Sequence, residues 1–353
     1  MQNGAKGNCS YCDSENVFCI DPELLQDLFW PVVRLYDTLE NFMPLDDLKS
    51  DEYTDTIYDK LNYDWSLFPY YGDEFDQNYV EESLLKAIFP ENPHHGPHYQ
   101  FLHSYVEKED EYWGVEKNKS WEVLVEKWEQ FCNEIKGNNR YFPEKALDFV
   151  VIKRLLRYLK ETLRKGEILY RARISHNGKK FTPSKMGKPS RKLSEGGRAN
   201  PKGIPYLYLS SSSGIAISEV RPFIKDKVTV GDFKLREKLE VVDLRNSTIG
   251  DPFRYGDELE SVVDYLLFLN KLGEELSKTI SPRESDIEYI PTQYLSEFIK
   301  GLGYDGILYG SSMVQDRSEY NLVIFKDEKL KCTSTKLYEI TGISHEFNML
   351  KTK

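Results

Sequence analysis

The segment GGRANPKGIPYLYLSSSSGIAISEV, residues 196–220, sets a glycine-flanked basic loop, a strand pattern with tyrosines, a serine-rich turn and a helix pattern bearing Glu219 in direct succession. Gly196, Gly197 and Gly203 permit tight turns and let a ligand come close to the main chain. Arg198 can clamp an anionic oxygen pair bidentately, which suits a diphosphate better than the point charge of a lysine. A carboxylate such as Glu219 is the group that stabilises a developing positive charge. Arg171 alternates with apolar neighbours in ILYRARI, and an arginine is almost never buried unpaired, so it can point into a cleft. Ser311 and Ser312 close the run GILYG, where a hydroxyl is as often a turn former as a reacting group. Taken singly, each has an ordinary structural reading: a solvated loop, an edge-strand arginine, a surface glutamate near Arg221, a turn serine.

These residues must be positioned by elements, and the hydrophobic period changes after Gly166. Ile168, Tyr170, Ala172 and Ile174 alternate against Leu169, Arg171 and Arg173, the period of a strand. PYLYLS (205–210), VTVGDF (228–233), LEVVDL (239–244), GILYG (306–310) and NLVIF (321–325) read as further strands. GIAISEV, DELESVVDYLLFLNKL (257–272) and PTQYLSEFIKGLG (291–303) read as helices between them. Before residue 165 the pattern is mainly helical. Asp21 and Pro22 signal a helix start, with a bend at Pro31. Ser120 opens a helix whose stripe is Val123, Leu124, Trp128, Phe131 and Ile135, ending at Gly137. Pro143 is expected to open a longer helix through Leu163. Residues 41–80 and the three prolines from Pro90 to Pro97 read as irregular. The fold class is therefore α+β: a mainly helical domain over 1–165, then a mixed α/β domain over 166–345.

In order and local context the motifs match a family. LYRAR (169–173), GRANPKGIPYLYLS (197–210), AISEVRP (216–222) and GYDGILYGSS (303–312) followed by NLVIF resemble RES-domain proteins, named for an Arg, a Glu and a Ser. The resemblance spans nearly all of residues 166–343 and implies a fold similar to ADP-ribosyltransferases, acting on NAD and often serving as a toxin that depletes it. By position it implies catalytic roles for Arg171, Arg198, Tyr208, Glu219 and Ser311, with Arg173, Asn200, Lys202 and Ser312 at the cofactor. Arg173 competes with Arg171 for the first position. Met313 stands where the commoner motif has an arginine, so Ser311 and Ser312 both remain candidates for the serine. NAD would be a substrate, with phosphate as a conceivable co-substrate. Cleavage between nicotinamide and ribose by hydrolysis or phosphorolysis is the expected reaction, and mono-ADP-ribosylation of a protein is the alternative. An antitoxin or immunity protein is an expected partner of such a toxin, and a homo-oligomer is compatible with the sequence.

The N-terminal half resembles the helical, HEPN-like region attached to one branch of RES proteins, through CSYCDSENVFCIDPELLQDLF and NNRYFPEKAL. No Arg and His lie a few residues apart on its helices, as a HEPN ribonuclease would need, so a regulatory or structural role is expected. Cys9 and Cys12 resemble half of a zinc knuckle, with Cys19, His94, His95, His98 and His103 nearby, but no second CxxC follows and zinc is not expected there. Five cysteines in 353 residues do not make a disulfide framework. The net charge of −11 opposes nucleic-acid binding. No run approaches the length of a membrane span and no leader pattern opens the chain, so a cytoplasmic protein is expected. Acidic residues dominate from Asp37 to Glu82, whereas Lys185 to Lys202 is a concentrated basic loop.

Overall fold

The computed structural model describes residues 5–11, 14–38, 55–65, 67, 77–89, 106–108, 120–144, 147–245, 249, 251–278, 280, 285–311 and 319–343. Cys12, Ser312, the four histidines from His94 to His103, the Pro90 to Pro97 stretch and most of the acidic tract lie outside them. The chain divides into two compact units, residues 1–119 with 248–264, and residues 120–247 with 265–353.

In the first unit, β1 (Ala5–Gly7) pairs antiparallel with β2 (Val17–Cys19). Asp21 caps a short turn over Pro22–Leu25 by accepting from the Glu23 N–H at 3.1 Å, and α1 (Gln26–Val33) follows with Pro31 inside it. The helix that the Asp21-Pro22 pair announces thus begins as a 3-10 turn. β3 (Tyr36–Thr38), α2 (Ile57–Trp65), α3 (Gln77–Ile88) and β4 (Val106–Lys108) follow in the same unit, with β3 and β4 paired antiparallel. Trp65 Nε1 donates to the Tyr36 hydroxyl at 2.8 Å, which donates in turn to Asp64. Buried polar tips in this small core are thereby paired.

The second unit opens with α4 (Ser120–Gly137) and α5 (Phe149–Tyr158), and β5 (Lys160–Leu163) follows at once. Of the expected α4 stripe, Leu124, Trp128, Phe131 and Ile135 are buried, whereas Val123 is exposed. The helix expected from Pro143 to Leu163 is shorter at both ends. Asp148 is its N-cap, accepting from the Val150 and Val151 N–H groups, and Lys160–Leu163 leaves the helical path to join a sheet. The remaining elements are β6 (Ile168–Ile174), β7 (Leu207–Ser210), α6 (Ser213–Glu219), β8 (Lys227–Leu235) and β9 (Leu239–Asp243). After them come α7 (Leu259–Ser277), α8 (Ser285–Glu288), α9 (Ile290–Gly301), β10 (Gly306–Gly310), β11 (Tyr320–Ile324) and β12 (Leu330–Glu339).

Eight strands form one mixed sheet in the order β12-β8-β6-β7-β11-β10-β9-β5. Every neighbouring pair is antiparallel except β9 and β10, whose parallel pairing is reached through the helices between them. Alternation sorts the side chains by face. Leu169, Leu207, Leu209, Phe233, Leu308 and Leu322 pack on one side under Met186 and Phe181. Val242, Ile307 and Val323 face the other way, onto Phe131 of α4, Leu155 of α5, Phe268 of α7 and Ile299 of α9. The division expected near 165 falls between β5 and β6, two strands of this sheet. Among the described residues no helix is long and apolar enough to cross a membrane, and no cluster of His, Cys, Asp and Glu is arranged to hold a metal.

Helix α7 lies so close to the end of β9 that a Cβ on Gly273 would overlap the Leu244 carbonyl. Backbone cannot yield as a side-chain tip can, so Gly273→Ala should cost at least about 1–3 kcal/mol. Thermal denaturation should show a lowered midpoint, and an unchanged one would mean that α7 can slide.

Candidate active site

The sheet is densely paired on both sides of one weak seam. β6 pairs with β8 from Ile168↔Lys234 to Ile174↔Val228, and β7 pairs with β11 along its whole length. β6 and β7 meet at one paired position, Tyr170↔Ser210. Past that point a cleft of about 300 Å³ opens, lined among others by Arg171, Arg198, Tyr208, Glu219, Tyr309 and Asn321. Four of the sequence-nominated residues, from two strands, a loop and a helix end, therefore share one wall.

Glu219 is the last residue of α6, a short helix started by the Ser212 hydroxyl accepting from the Ile215 N–H at 3.3 Å. Its Oε1 accepts from Ser311 Oγ at 3.2 Å and from Asn321 Nδ2 at 2.6 Å. Asn321 is buried, and its own Oδ1 accepts from Ser210 Oγ at 2.8 Å. One carboxylate oxygen is thus fixed by two donors. Oε2 has no hydrogen-bond partner among the described residues, so it is the oxygen left for a ligand.

The loop before β7 is organised around Asn200. This side chain is 4 % exposed, and its amide donates to the Glu195 and Ile204 carbonyls, both at 3.0 Å. Its Oδ1 accepts from the Tyr208 hydroxyl at 2.7 Å, and that hydroxyl accepts from the Ala199 N–H at 3.2 Å. Burial pushes the Tyr208 phenol up to about 12, so it stays a donor at working pH. Gly197 is required by this arrangement, because a Cβ there would come within 2.7 Å of Asn200 Oδ1 and 2.9 Å of the Tyr208 oxygen. Asn200, nominated for the cofactor, is engaged as an internal brace of the loop. Lys202 is 78 % exposed and paired with Glu195 at 3.2 Å, beside a different depression of about 520 Å³.

The arginines are anchored by carbonyl oxygens. Arg198 Nη1 donates to Leu276 O at 3.2 Å and Ser277 O at 3.1 Å, in the last turn of α7 where unsatisfied carbonyls favour a cation. Arg171 Nη1 donates to Met186 O at 3.0 Å and Gly187 O at 2.5 Å. Burial lowers its pKa to about 10, and the neighbouring Arg173 adds to the shift. Even so it remains a cation at neutral pH. Arg173 is not part of the cleft wall; it donates to Lys185 O at 2.5 Å and lies 4.6 Å from the Phe181 ring centroid. Of the two competing arginines, only Arg171 lines the cleft. Ser311 is joined to Glu219, whereas Ser312 lies outside the described residues.

Tyr170, Ser210, Tyr289, Tyr309 and Asn321 also line the cleft and were not nominated. Asn321 and Tyr309 each carried a legible signal, a polar residue opening the apolar run NLVIF and a tyrosine one position from the end of GILYG. A larger depression, about 630 Å³, lies over Lys188, Arg191, Tyr206 and Lys300, and has no carboxylate on its wall.

A family model matches within the C-terminal half of the chain. Residues 168–339 match the family model described as the RES domain. Among solved structures, the M. tuberculosis MbcT–MbcA toxin-antitoxin complex matches at 15% identity with a TM-score of 0.34, over 53% of this chain and 91% of that one. No curated protein matches the chain.

The Tyr208 hydroxyl holds both the Asn200 side chain and the Ala199 amide, so Tyr208→Phe orphans two buried partners. Removing it should cost about 1–3 kcal/mol. Chemical denaturation would read this as a lowered midpoint at unchanged slope.

Proposed function

Residues 168–339 form a RES domain, and from that premise we propose that the protein consumes NAD, breaking the bond between nicotinamide and its ribose. The observation that supports this reading best is Glu219, held through one oxygen by Ser311 and Asn321, in a cleft that also carries Arg171, Arg198 and Tyr208. At about 300 Å³ the cleft is at the small end for ligand sites. It suits one end of a dinucleotide, the nicotinamide and its ribose.

On this reading the C–N bond breaks heterolytically and nicotinamide leaves with the bonding electron pair, as a neutral molecule. Positive charge builds on the anomeric carbon and ring oxygen. Oε2 of Glu219 would accept from the ribose 2′-hydroxyl and stabilise that charge across a short distance in a water-poor site. Arg198 and Arg171, the two arginines on the cleft wall, would meet the diphosphate. Tyr208 would shape the nicotinamide pocket through its ring. Ser311 would set the carboxylate's orientation. An attacking water gives ADP-ribose and releases a proton; an attacking phosphate gives the 1-phosphorylated sugar instead. The catalytic segment is taken as 166–345. Asn200, Arg173 and Lys202 would act on NAD indirectly, by bracing the loops that border it, and Ser312 would support Ser311 as its neighbour in sequence.

Depletion of NAD halts growth, so the protein is proposed to act as a toxin or defence effector on the cytoplasmic NAD pool. Such an activity requires a brake, either the N-terminal region or a separate antitoxin or immunity protein.

The test is NAD loss and product identity with the purified full-length chain, with and without phosphate, beside Glu219→Gln. Glutamine can still accept from Ser311 and Asn321 but carries no charge, so turnover should fall about 10²–10³-fold. Free ADP-ribose, its phosphate, or labelled protein would identify hydrolysis, phosphorolysis or transfer. NAD loss that ignores Glu219 would overturn the assignment.

A further inference from the structure

Of the tyrosines that line the cleft, the half-buried Tyr208 and the buried Tyr309 have hydroxyls in opposite situations. That of Tyr208 is bonded on both sides, to Asn200 and to the Ala199 amide. Tyr309 is 4 % exposed and lines the same cleft, yet its hydroxyl has no hydrogen-bond partner among the described residues. The hydroxyl is not among the buried polar atoms left unpaired, so it opens onto the cleft, where phenylalanine would fill the same space and offer no donor. A tyrosine at this place is explained if a ligand completes it.

The surroundings indicate what kind of ligand. The charged and phenolic groups that act on the Tyr309 hydroxyl are Tyr208, Glu219, Arg198 and Tyr289, all on the cleft wall. Burial, the largest influence, pushes the phenol up, so the group offers a neutral O–H donor rather than a charge. The rings of Tyr170, Tyr208 and Tyr289 line the cleft beside it. Aromatic walls with an uncharged hydroxyl donor among them fit a flat, neutral heteroaromatic ring bearing an acceptor oxygen. A diphosphate would instead be drawn to the guanidinium groups of Arg171 and Arg198.

We propose that the Tyr309 hydroxyl donates to the carboxamide oxygen of nicotinamide in the cleft, making Tyr309 the residue that selects the leaving group. This rests on the NAD reading and deepens it. Tyr309 would grip the departing base while Glu219 attends to the ribose.

The experiment compares wild type, Tyr309→Phe, Tyr208→Phe and Glu219→Gln by calorimetric binding of nicotinamide and of ADP-ribose, with NAD turnover and thermal midpoint measured in parallel. Tyr309→Phe should weaken nicotinamide binding about five- to tenfold, the loss of one uncharged hydrogen bond. It should leave ADP-ribose affinity unchanged and should not lower the midpoint, whereas Tyr208→Phe should lower it. Unchanged nicotinamide affinity, absent nicotinamide binding in the wild type, or a midpoint lowered as far as in Tyr208→Phe would each overturn the proposal. Failure of the cleavage reading looks different: the wild type would bind nicotinamide through Tyr309 and yet leave NAD intact.

Discussion

The single paired position between β6 and β7 governs the rest of this domain. A continuous sheet would bury both strands against each other and leave no room for a ligand. Here β6 is held by β8 and β7 by β11, so the two can part without either losing its ladder. Their separation exposes backbone and side chains that a closed sheet would cover, and the surrounding elements respond to it. The α6 terminus brings Glu219 to the gap, the loop around Asn200 lines it, and the α7 C-terminus anchors Arg198 at its rim.

A second pattern concerns how polar groups are held. The polar groups in the cleft are tied to the scaffold: Arg171 and Arg198 by carbonyl oxygens, the Glu219 carboxylate through one oxygen. This leaves each group oriented, and leaves Oε2 of Glu219 without a partner among the described residues. Pre-orientation of this kind avoids reorganisation when charge develops. It also explains the density of glycine and asparagine near the site, since small residues and side-chain amides let loop backbone pack against functional groups without blocking them.

Much of the sheet was legible because its inner strands are apolar and alternate with period two. β6, β8, β9, β10 and β11 were each read within a residue or two of their ends, and so were α6 and α9. β5 and β12 were not read, for a common reason: both are edge strands, and KETL and LKCTSTKLYE carry polar residues on the solvent side that dilute the pattern. The overlong α5 is the same error seen from the helix side, because an apolar stripe does not announce where tertiary pairing will capture the chain. In the cleft, Arg171, Arg198, Tyr208 and Glu219 could be nominated from motifs, yet whether a side chain faces a ligand or a loop carbonyl is decided by contacts distant in sequence. Asn200 and Asn321 show this. Both are asparagines near the cleft; one braces a loop and the other holds the carboxylate.

The placement of β5, α4 and α5 bears on what counts as a unit of inheritance and of folding. The family match begins at residue 168, but β9 is covered on its outer edge by β5, and the helical side of the sheet is filled by Trp128, Phe131, Leu155 and Leu156. A fragment cut at the family boundary would therefore present an open, apolar strand edge and half a core to solvent, the conditions for sticking edge to edge with its own copies. The segment that carries the recognisable motifs is shorter than the segment that can stand alone, and any grafting of this domain onto another chain must take the preceding helices with it.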